Sequence, residues 1–303
     1  MTPHIALVTA REALALDEDM PPLLLALRTA GARVATPFWD DPAVDWGSFD
    51  KAVLRSTWDY VDRIEEFLDW TERCSEQTRL LNPPAVVRWN IDKHYLAELS
   101  HSGVAVVPTR FVAPGTDPRI ELDRFLAGGQ GACTVGACSD FPQFVVKPAI
   151  GAGSRDAARY LRGERDKAVV HLDRLLAGGR SAMLQPYLDR VDEHGETAVV
   201  YIGGRYSHAF RKGPLLRLGD DLVSGLFAPE QITPREPDAA ELRVAAAAFG
   251  PIAGASPLYA RIDLIRNPQG EPVVLELELT EPSLYFVHAP DAANRFADAL
   301  LET

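Results

Sequence analysis

The segment Leu275–Leu279 alternates leucine with glutamate, and this pattern constrains the fold more than any other in the chain. Strict alternation predicts a β-strand with one apolar and one acidic face, so Glu276 and Glu278 share a side. Asp263 lies on the preceding predicted strand of the same hairpin. Carboxylates brought together repel one another unless a cation lies between them, and hard oxygen ligands suit Mg²⁺. The pattern therefore predicts a site for one or two Mg²⁺ ions, and an amphipathic edge strand with a solvated acidic face is the alternative.

Composition limits the partners of this chain. It has 303 residues, which by length alone indicates two domains, and a formal net charge of −12. An acidic surface repels nucleic acid and anionic lipid, so we expect neither as a partner. The low, odd number of cysteines favours a reducing cytoplasm, and no signal peptide or membrane span is apparent. The cysteines are Cys74, Cys133 and Cys138.

The chain up to residue 83 alternates apolar strands with amphipathic helices, which predicts a parallel α/β layer. The prolines of Asn82-Pro83-Pro84 interrupt this pattern, so we predict a first domain over 1–83. The predicted strands are 4–10, 33–38 and 51–55, and the predicted helices are 21–30 and 65–77.

Two further units are predicted, over 84–180 and 181–303, and consecutive strands in the second of them favour an antiparallel sheet. A hairpin turns at Gly203-Gly204. One helix is capped by Asn90 or Asp92 and runs to His101, and another covers 237–253. The loops 149–154 and 212–230 are predicted to act as lids.

A short apolar strand ends in Val146-Lys147-Pro148 and continues into a loop of small residues that ends at Ser154. Backbone N–H groups approach phosphate oxygens where no side chain blocks them, as at Gly151 and Gly153. Lys147 would supply a point charge. The segment predicts a phosphate-binding loop, with a plain strand–turn–strand and a surface lysine as the alternative. It matches neither the P-loop nor the G-x-G-x-x-G pattern.

Other basic residues stand where an anion would be held. Lys93 follows a predicted helix cap, where a positive charge is unfavourable unless an anion compensates it. Arg261 shares a strand face with Asp263, so it would either steady a transferred phosphoryl group or pair with a carboxylate. Lys212 follows Arg211 at the start of the long loop, where it would cover phosphates or form a solvated basic turn.

The end of the third predicted strand carries a run of polar residues. Ligands of open α/β sheets lie beyond the carboxyl ends of the strands, so Arg55 would grip a substrate carboxylate there. A capped loop with Trp58 in the core is the alternative. The residues that would complete the substrate pocket are Ser56, Thr57, Asp59 and Tyr60.

Several segments, taken in their order along the chain, resemble the ATP-grasp superfamily over roughly 84–303. They are Asp92-Lys93, Val146-Lys147-Pro148, 184–188, Gly195-Glu196, 261–263 and 276–278. The resemblance implies an α/β (α+β) fold in which two subdomains grip ATP behind an N-terminal parallel layer. It implies that Lys93 and Lys147 contact the ATP phosphates. The remaining implied contacts are Gln185, Tyr187 and Leu188 around adenine, Glu196 on the ribose, and Asp263 and Glu276 on magnesium.

The sequence departs from the common pattern of that superfamily at two positions. Glu278 stands where most members carry asparagine, and Ala198 stands where glutathione-synthetase-like members carry a basic residue. Three stretches, 55–60, 88–93 and 276–284, resemble the branch that contains the O-ureidoserine cyclo-ligase of cycloserine biosynthesis.

The resemblance implies an ATP-dependent ligase that activates a carboxylate as an acyl phosphate for attack by nitrogen. In the cyclo-ligase branch, the attack is intramolecular and closes O-ureidoserine to cycloserine. An intermolecular carboxylate–amine ligase and a non-catalytic nucleotide-binding module are the alternatives, and three carboxylates argue against the second. We expect a small amino-acid-like substrate, and a homodimer on general grounds.

Overall fold

The computed structural model describes residues 2–137, 141–219, 226 and 230–303. Within these residues the chain forms three β-sheets, one parallel and two antiparallel, with helices packed against them. The predicted mixed α/β architecture is therefore confirmed.

The first sheet is parallel, because a helix or a long connection separates its consecutive strands. Its order is β2-β1-β3-β4, and α2 buries Phe67, Leu68 and Trp70 as the amphipathic pattern predicts. The elements of this part are β1 (His4–Thr9), α1 (Met20–Thr29), β2 (Arg33–Ala35), β3 (Lys51–Ser56), α2 (Ile64–Ser75) and β4 (Arg79–Leu81).

The second sheet is antiparallel, with strand order β5-β8-β6-β7. The elements are α3 (Pro84–Asn90), α4 (Tyr95–His101), β5 (Arg110–Val112), α5 (Pro118–Ala127), β6 (Gln143–Pro148), β7 (Ala158–Leu161), α6 (Arg165–Ala177) and β8 (Ala182–Pro186).

The structure corrects the single helix predicted over 90–101. α3 ends at Asn90 and α4 begins at Tyr95, with a turn between them. In that turn, the backbone N–H of Lys93 donates to the carbonyl of Ala149 at 3.0 Å. The break in the helix thus ties Lys93 to the loop that follows β6.

The third sheet has the order β11-β10-β9-β12-β13 and is antiparallel throughout. The predicted hairpin at Gly203-Gly204 joins its strands β9 and β10. The elements are α7 (Arg190–His194), β9 (Glu196–Ile202), β10 (Arg205–Lys212), β11 (Ile232–Pro234), α8 (Ala239–Phe249), β12 (Tyr259–Arg266), β13 (Pro272–Glu278) and α9 (Ala292–Glu302).

Strand β8 lies in the second sheet, although the predicted boundary between residues 180 and 181 separates it from that sheet. We therefore propose that the second unit ends after Pro186. The first predicted boundary, at residue 83, falls between β4 and α3 and stays a prediction.

The first and third sheets share one apolar core. Side chains of β1, β3 and α1 pack with side chains of β9, β10 and α9 in that core. Its members include Ile5, Leu7, Leu23, Val53, Val200, Phe210, Tyr259 and Phe296.

Asn82 joins the two sheets through its side chain, which is fully buried. Its amide nitrogen donates to the carbonyls of Tyr259 at 3.0 Å and Leu279 at 2.7 Å. Its amide oxygen accepts from the backbone N–H of Leu258 at 2.7 Å. These bonds hold the β12–β13 hairpin against the first unit.

No helix of the described chain is long and apolar enough to cross a membrane. Cys74 is a buried free thiol, Cys133 is disulfide-bonded, and Cys138 lies outside the described residues. The cysteines therefore do not settle the redox environment, and the cytoplasmic location stays a prediction.

We predict that Asn82→Ala lowers the free energy of unfolding by about 3 kcal/mol, because it leaves three buried backbone groups without partners. Urea denaturation measures the effect. Asn294→Ala is the matched control, since Asn294 is exposed and should cost about 0.5 kcal/mol or less. An equal cost for both variants would contradict this role of Asn82.

The buried His208 predicts an acid sensitivity of the fold. Its Nε2 donates to the carbonyl of Leu284 at 2.7 Å, and its Nδ1 accepts from the Ser207 hydroxyl at 3.0 Å. Burial lowers the pKa of His208 to about 4, although the bond to Leu284 acts the other way. The unfolded pKa is about 6.5, so between these values the unfolded chain binds more protons, and stability falls as pH falls.

We expect this histidine to account for a loss of about 2 kcal/mol in the free energy of unfolding between pH 7 and pH 5. Urea denaturation of the wild type and of His208→Gln at both pH values measures it. The variant should lose less stability than the wild type on acidification; equal losses would rule the histidine out as the cause.

Candidate active site

A cavity of about 610 Å³ is lined by residues of the second and third sheets and by loop residues that follow strands of the first sheet. Most of the predicted site residues line it. They are Tyr60, Lys93, Lys147, Gly151, Gly153, Ser154, Gln185, Tyr187, Leu188, Glu196, Lys212, Arg261, Glu276 and Glu278.

Asp263 lies on β12 beneath this cavity, is 1% exposed and holds two cations. Arg261 forms a two-pronged bond to it, with Nε at 2.9 Å from Oδ1 and Nη2 at 2.9 Å from Oδ2. The ammonium group of Lys212 lies 3.0 Å from Oδ2. Burial alone would raise the pKa of Asp263, but the two cations outweigh it and lower the pKa to about 2.

Lys212 joins Asp263 to two further acids. Its Nζ lies 3.2 Å from Oε2 of Glu196 and 3.5 Å from Oε1 of Glu230. Burial opposes the positive charge, but the three carboxylates together raise the pKa of Lys212 well above its usual value. The lysine therefore stays charged at neutral pH, and its ammonium group is paired with the three carboxylates.

Glu276 lies opposite Asp263 in the register of β12 and β13. Its Oε1 lies 2.9 Å from Nζ of Lys93, which also donates to the carbonyl of Gly151 at 2.7 Å. Burial disfavours both charges, yet the mutual attraction lowers the pKa of Glu276 and raises that of Lys93. Lys93 is thereby fixed between the acidic strand and the small-residue loop.

Glu278 lies opposite Arg261 in the same register and bonds to its guanidinium. Arg261 also donates to the carbonyl of Ser283 at 2.8 Å. Burial raises the pKa of Glu278 to about 7; Arg261 opposes this, while the charges of Asp263 and Glu276 add to it.

Lys147 differs from the other cavity cations. Among the described residues, its ammonium group has no hydrogen-bond or ion-pair partner. Burial lowers its pKa; the charge of Glu276 opposes this shift, and the charge of Lys93 adds to it. An anion in the cavity would therefore find this ammonium group free.

The loop after Lys147 keeps its backbone accessible. A Cβ on Gly151 would lie 3.0 Å from Cγ of Pro148, so a larger residue would fit only if the proline ring shifted. Gly153 and Ser154 both adopt positive φ angles, of 62° and 60°. The loop thus presents peptide groups to the cavity, as phosphate binding requires.

The other end of the cavity is an apolar slot. The guanidinium carbon of Arg159 lies 3.4 Å from the centroid of the Tyr187 ring, and the Tyr187 hydroxyl donates to Asp192. Gln185 donates to the Thr109 hydroxyl at 2.8 Å. The slot suits a flat heterocycle. Its apolar walls are Val107, Val145, Leu188, Val191, Ile265, Leu275 and Leu277.

The predicted three-carboxylate metal site is only partly assembled. Glu276 and Glu278 line the cavity, whereas Asp263 does not and has both oxygens bound by cations. In the described part of the chain, no three acidic, His or Cys side chains converge closely enough to hold a metal ion. The donor chemistry still suits Mg²⁺, which takes one or two protein carboxylates together with phosphate and water oxygens.

The structure corrects the role predicted for Arg55. It is 1% exposed, does not line the cavity, and lies 3.3 Å from Asp19 and 3.9 Å from Asp17. Asp19 in turn accepts backbone N–H groups of the segment 284–286. Arg55 therefore neutralises a structural carboxylate instead of gripping a substrate.

The other residues predicted for the substrate pocket, in the stretch 56–60, mostly face away from the cavity as well. Ser56 bonds to the Thr9 hydroxyl at 2.7 Å, and Asp59 accepts from Trp39 and Arg63. Thr57 is fully buried. None of Ser56, Thr57 and Asp59 lines the cavity, because the chain turns them into the first unit; Tyr60 alone of the predicted pocket residues does so.

Sequence reasoning gave no role to four acidic residues that line the cavity, which are Glu18, Asp19, Glu230 and Glu281. Glu230 accepts from the Tyr285 hydroxyl at 2.7 Å, and the carboxyl of Glu281 lies next to Tyr60. The sequence gives no signal for Glu230, because it lies in a long loop without a pattern. Glu281 lies three residues after Glu278, and this short distance from the acidic strand is a signal that it belongs to the same site.

The fold places the protein in a class. The structure of the ATP-grasp ligase PsnB complexed with minimal precursor is 17% identical, covers 100% of this chain and 99% of that chain, and has a TM-score of 0.64. At this identity the likeness shows the fold alone, which is the ATP-grasp fold.

Closer similarities give the family. The crystal structure of D-cycloserine synthetase DcsG is 43% identical, covers 99% of both chains and has a TM-score of 0.89. The cycloserine biosynthesis protein DcsG of Streptomyces lavendulae is 42% identical over 303 residues, which is 98% of each chain. The family described as D-cycloserine synthetase DcsG, N-terminal domain, matches residues 5–82. The chain belongs to the DcsG family and is an ATP-dependent ligase.

Removal of the central carboxylate should be costly. We predict that Asp263→Asn lowers the free energy of unfolding by about 3–5 kcal/mol, because it leaves two buried cations facing each other. Chemical denaturation measures the loss, and Asp298→Asn on the exposed side of α9 is the control. A loss below about 1 kcal/mol at Asp263 would show that the cations find other partners.

Proposed function

We propose that this protein closes O-ureidoserine to cycloserine in a reaction driven by ATP. The observation that carries the proposal is the similarity to DcsG, which extends over 98% of both chains at 42% identity. The charges of the cavity agree with it, since free and paired cations surround a space large enough for a nucleotide and a small substrate.

In the first step, a carboxylate oxygen of the substrate attacks the γ-phosphorus of ATP. The bond to the bridging oxygen breaks, ADP leaves, and an acyl phosphate forms. Lys147 and Lys93 would orient the phosphates from the side of the glycine-bearing loop. Arg261 and Lys212 would stabilise the transferred group from the side of the third sheet.

In the second step, the ureido nitrogen next to the side-chain oxygen attacks the acyl carbon. The ring closes, that nitrogen loses its proton, and inorganic phosphate leaves. Because cycloserine carries no carbamoyl group, water must then take this group from the ring nitrogen as carbamate. Early entry of water would instead hydrolyse the acyl phosphate, so the loops 149–154 and 212–230 are proposed to close over the site. Residues 220–225 and 227–229 of the second loop lie outside the described residues.

Glu276 and Glu278 are proposed to hold one or two Mg²⁺ ions beside the phosphates. A bound Mg²⁺ would neutralise phosphate charge during the transfer. Both glutamates now pair with cations, Lys93 and Arg261, which would be released toward the phosphates when metal binds. Glu278 in place of asparagine adds one negative charge to this site.

The test is incubation with MgATP and O-ureidoserine as the only carboxylate and amine. We expect ADP, phosphate and cycloserine, identified by mass. Product that forms only after a second amine is added would favour an intermolecular ligase. Nucleotide binding without phosphate release would favour a non-catalytic module.

Lys147→Ala should lower kcat/KM by about 100-fold or more, because it removes the free cation of the phosphate site. The unfolding temperature should not fall, since Lys147 makes no bond that the variant would lose. Steady-state kinetics and thermal unfolding measure the two effects. Lys167→Ala, at an exposed lysine paired with Glu164, is the control; full turnover in Lys147→Ala would contradict the site.

A further inference from the structure

Glu281 is the one partly buried acid of the cavity wall without a basic partner, as far as the described residues extend. Glu18 also lines the cavity without a basic partner, but it is exposed to solvent. The other acids of the wall are paired as Asp19 with Arg55, Glu196 and Glu230 with Lys212, Glu276 with Lys93, and Glu278 with Arg261.

Two aromatic residues of the first unit fix the position of Glu281. Tyr60, which is 3% exposed, lies next to the carboxyl of Glu281 and stabilises its ionised form. The indole N–H of Trp58 donates to the backbone carbonyl of Glu281 at 3.0 Å. The backbone of Glu281 is therefore fixed, and its carboxyl lies at the cavity wall before any ligand enters.

The negative charge of this carboxyl is poorly compensated. Burial and the charge of Glu278 raise the pKa of Glu281 to about 8, although Tyr60 opposes this. At this pKa the carboxyl is mostly protonated at neutral pH, and a cation that enters the cavity would displace the proton and stabilise the ionised form. Lys147 is the corresponding cation of the cavity, since its ammonium group has no acidic partner among the described residues.

We propose that Glu281 binds the ammonium group of the amino-acid substrate. This inference rests on the proposed function. In O-ureidoserine, the ammonium group sits on the carbon next to the carboxylate, and the ureido group is neutral. An ammonium held at Glu281 would leave the carboxylate directed toward Arg261, where the phosphoryl group is proposed to be transferred.

Two other roles would give different results. Glu281 could act as a third metal ligand, in which case its loss would change the Mg²⁺ requirement with any substrate. Glu18, at the exposed part of the wall, could take the ammonium instead. The experiment therefore compares two variants and two substrates.

The substrates are O-ureidoserine and 3-(ureidooxy)propanoate, which has the same carboxylate and ureido groups but no ammonium. The variants are Glu281→Gln and the control Glu18→Gln. In the wild type and in Glu18→Gln, loss of the ammonium should lower kcat/KM by roughly 10- to 100-fold. Glu281→Gln should lower kcat/KM for O-ureidoserine by a similar factor and change the deamino value less than about threefold.

The KM for ATP and the Mg²⁺ concentration at half-maximal rate should stay as in the wild type. If the deamino compound is not turned over, its inhibition constant against O-ureidoserine replaces kcat/KM in the comparison. Equal losses for both substrates in Glu281→Gln, or a changed Mg²⁺ requirement, would overturn the inference. So would a substrate-specific effect found only in Glu18→Gln.

A wild type that forms no cycloserine would reject the proposed function, and this subsite with it. A wild type that forms cycloserine while Glu281→Gln treats both substrates alike would reject the subsite alone.

Discussion

The buried contact of Asp263 with Arg261 and Lys212 is the interaction on which the rest of the site depends. One carboxylate, 1% exposed, holds two cations that line the cavity above it. Without this acid, the cations would repel each other, and Glu278, Glu196 and Glu230 would lose fixed partners. The arrangement is prepared before any nucleotide binds, which is how preorganised charge stabilises a phosphoryl transfer.

Much of the cavity wall could be predicted from sequence, because its residues follow from strand geometry. The alternation around Glu276 and Glu278 fixes their common face, and the strand before Lys147 delivers that lysine to a loop of small residues. The role of Asp263 could not be read in this way, since it depends on Lys212 from another strand. Arg55 was misplaced for the same reason: its partner, Asp19, lies directly before α1, far from β3 in the sequence.

Within the described chain, Lys147 and Glu281 are the two partly buried charged groups of the cavity wall that lack an oppositely charged partner, and they set where an anion and a cation would bind. The free ammonium lies at the glycine-bearing loop, and the carboxyl lies against the aromatic residues of the first unit. A phosphate group therefore has a favoured place, and we propose a favoured place for an ammonium group as well. A ligand pair with both charges would satisfy the two at once, as ATP and an amino acid do.

The central claim is that the substrate carboxylate accepts the γ-phosphoryl group of ATP. It is tested most directly with O-ureidoserine labelled with ¹⁸O in both carboxylate oxygens. Ring closure breaks the bond between the acyl carbon and the bridging oxygen, so that oxygen leaves with phosphorus. We expect inorganic phosphate that carries one ¹⁸O atom per turnover, measured by mass spectrometry; cycloserine formed together with unlabelled phosphate would contradict the acyl phosphate.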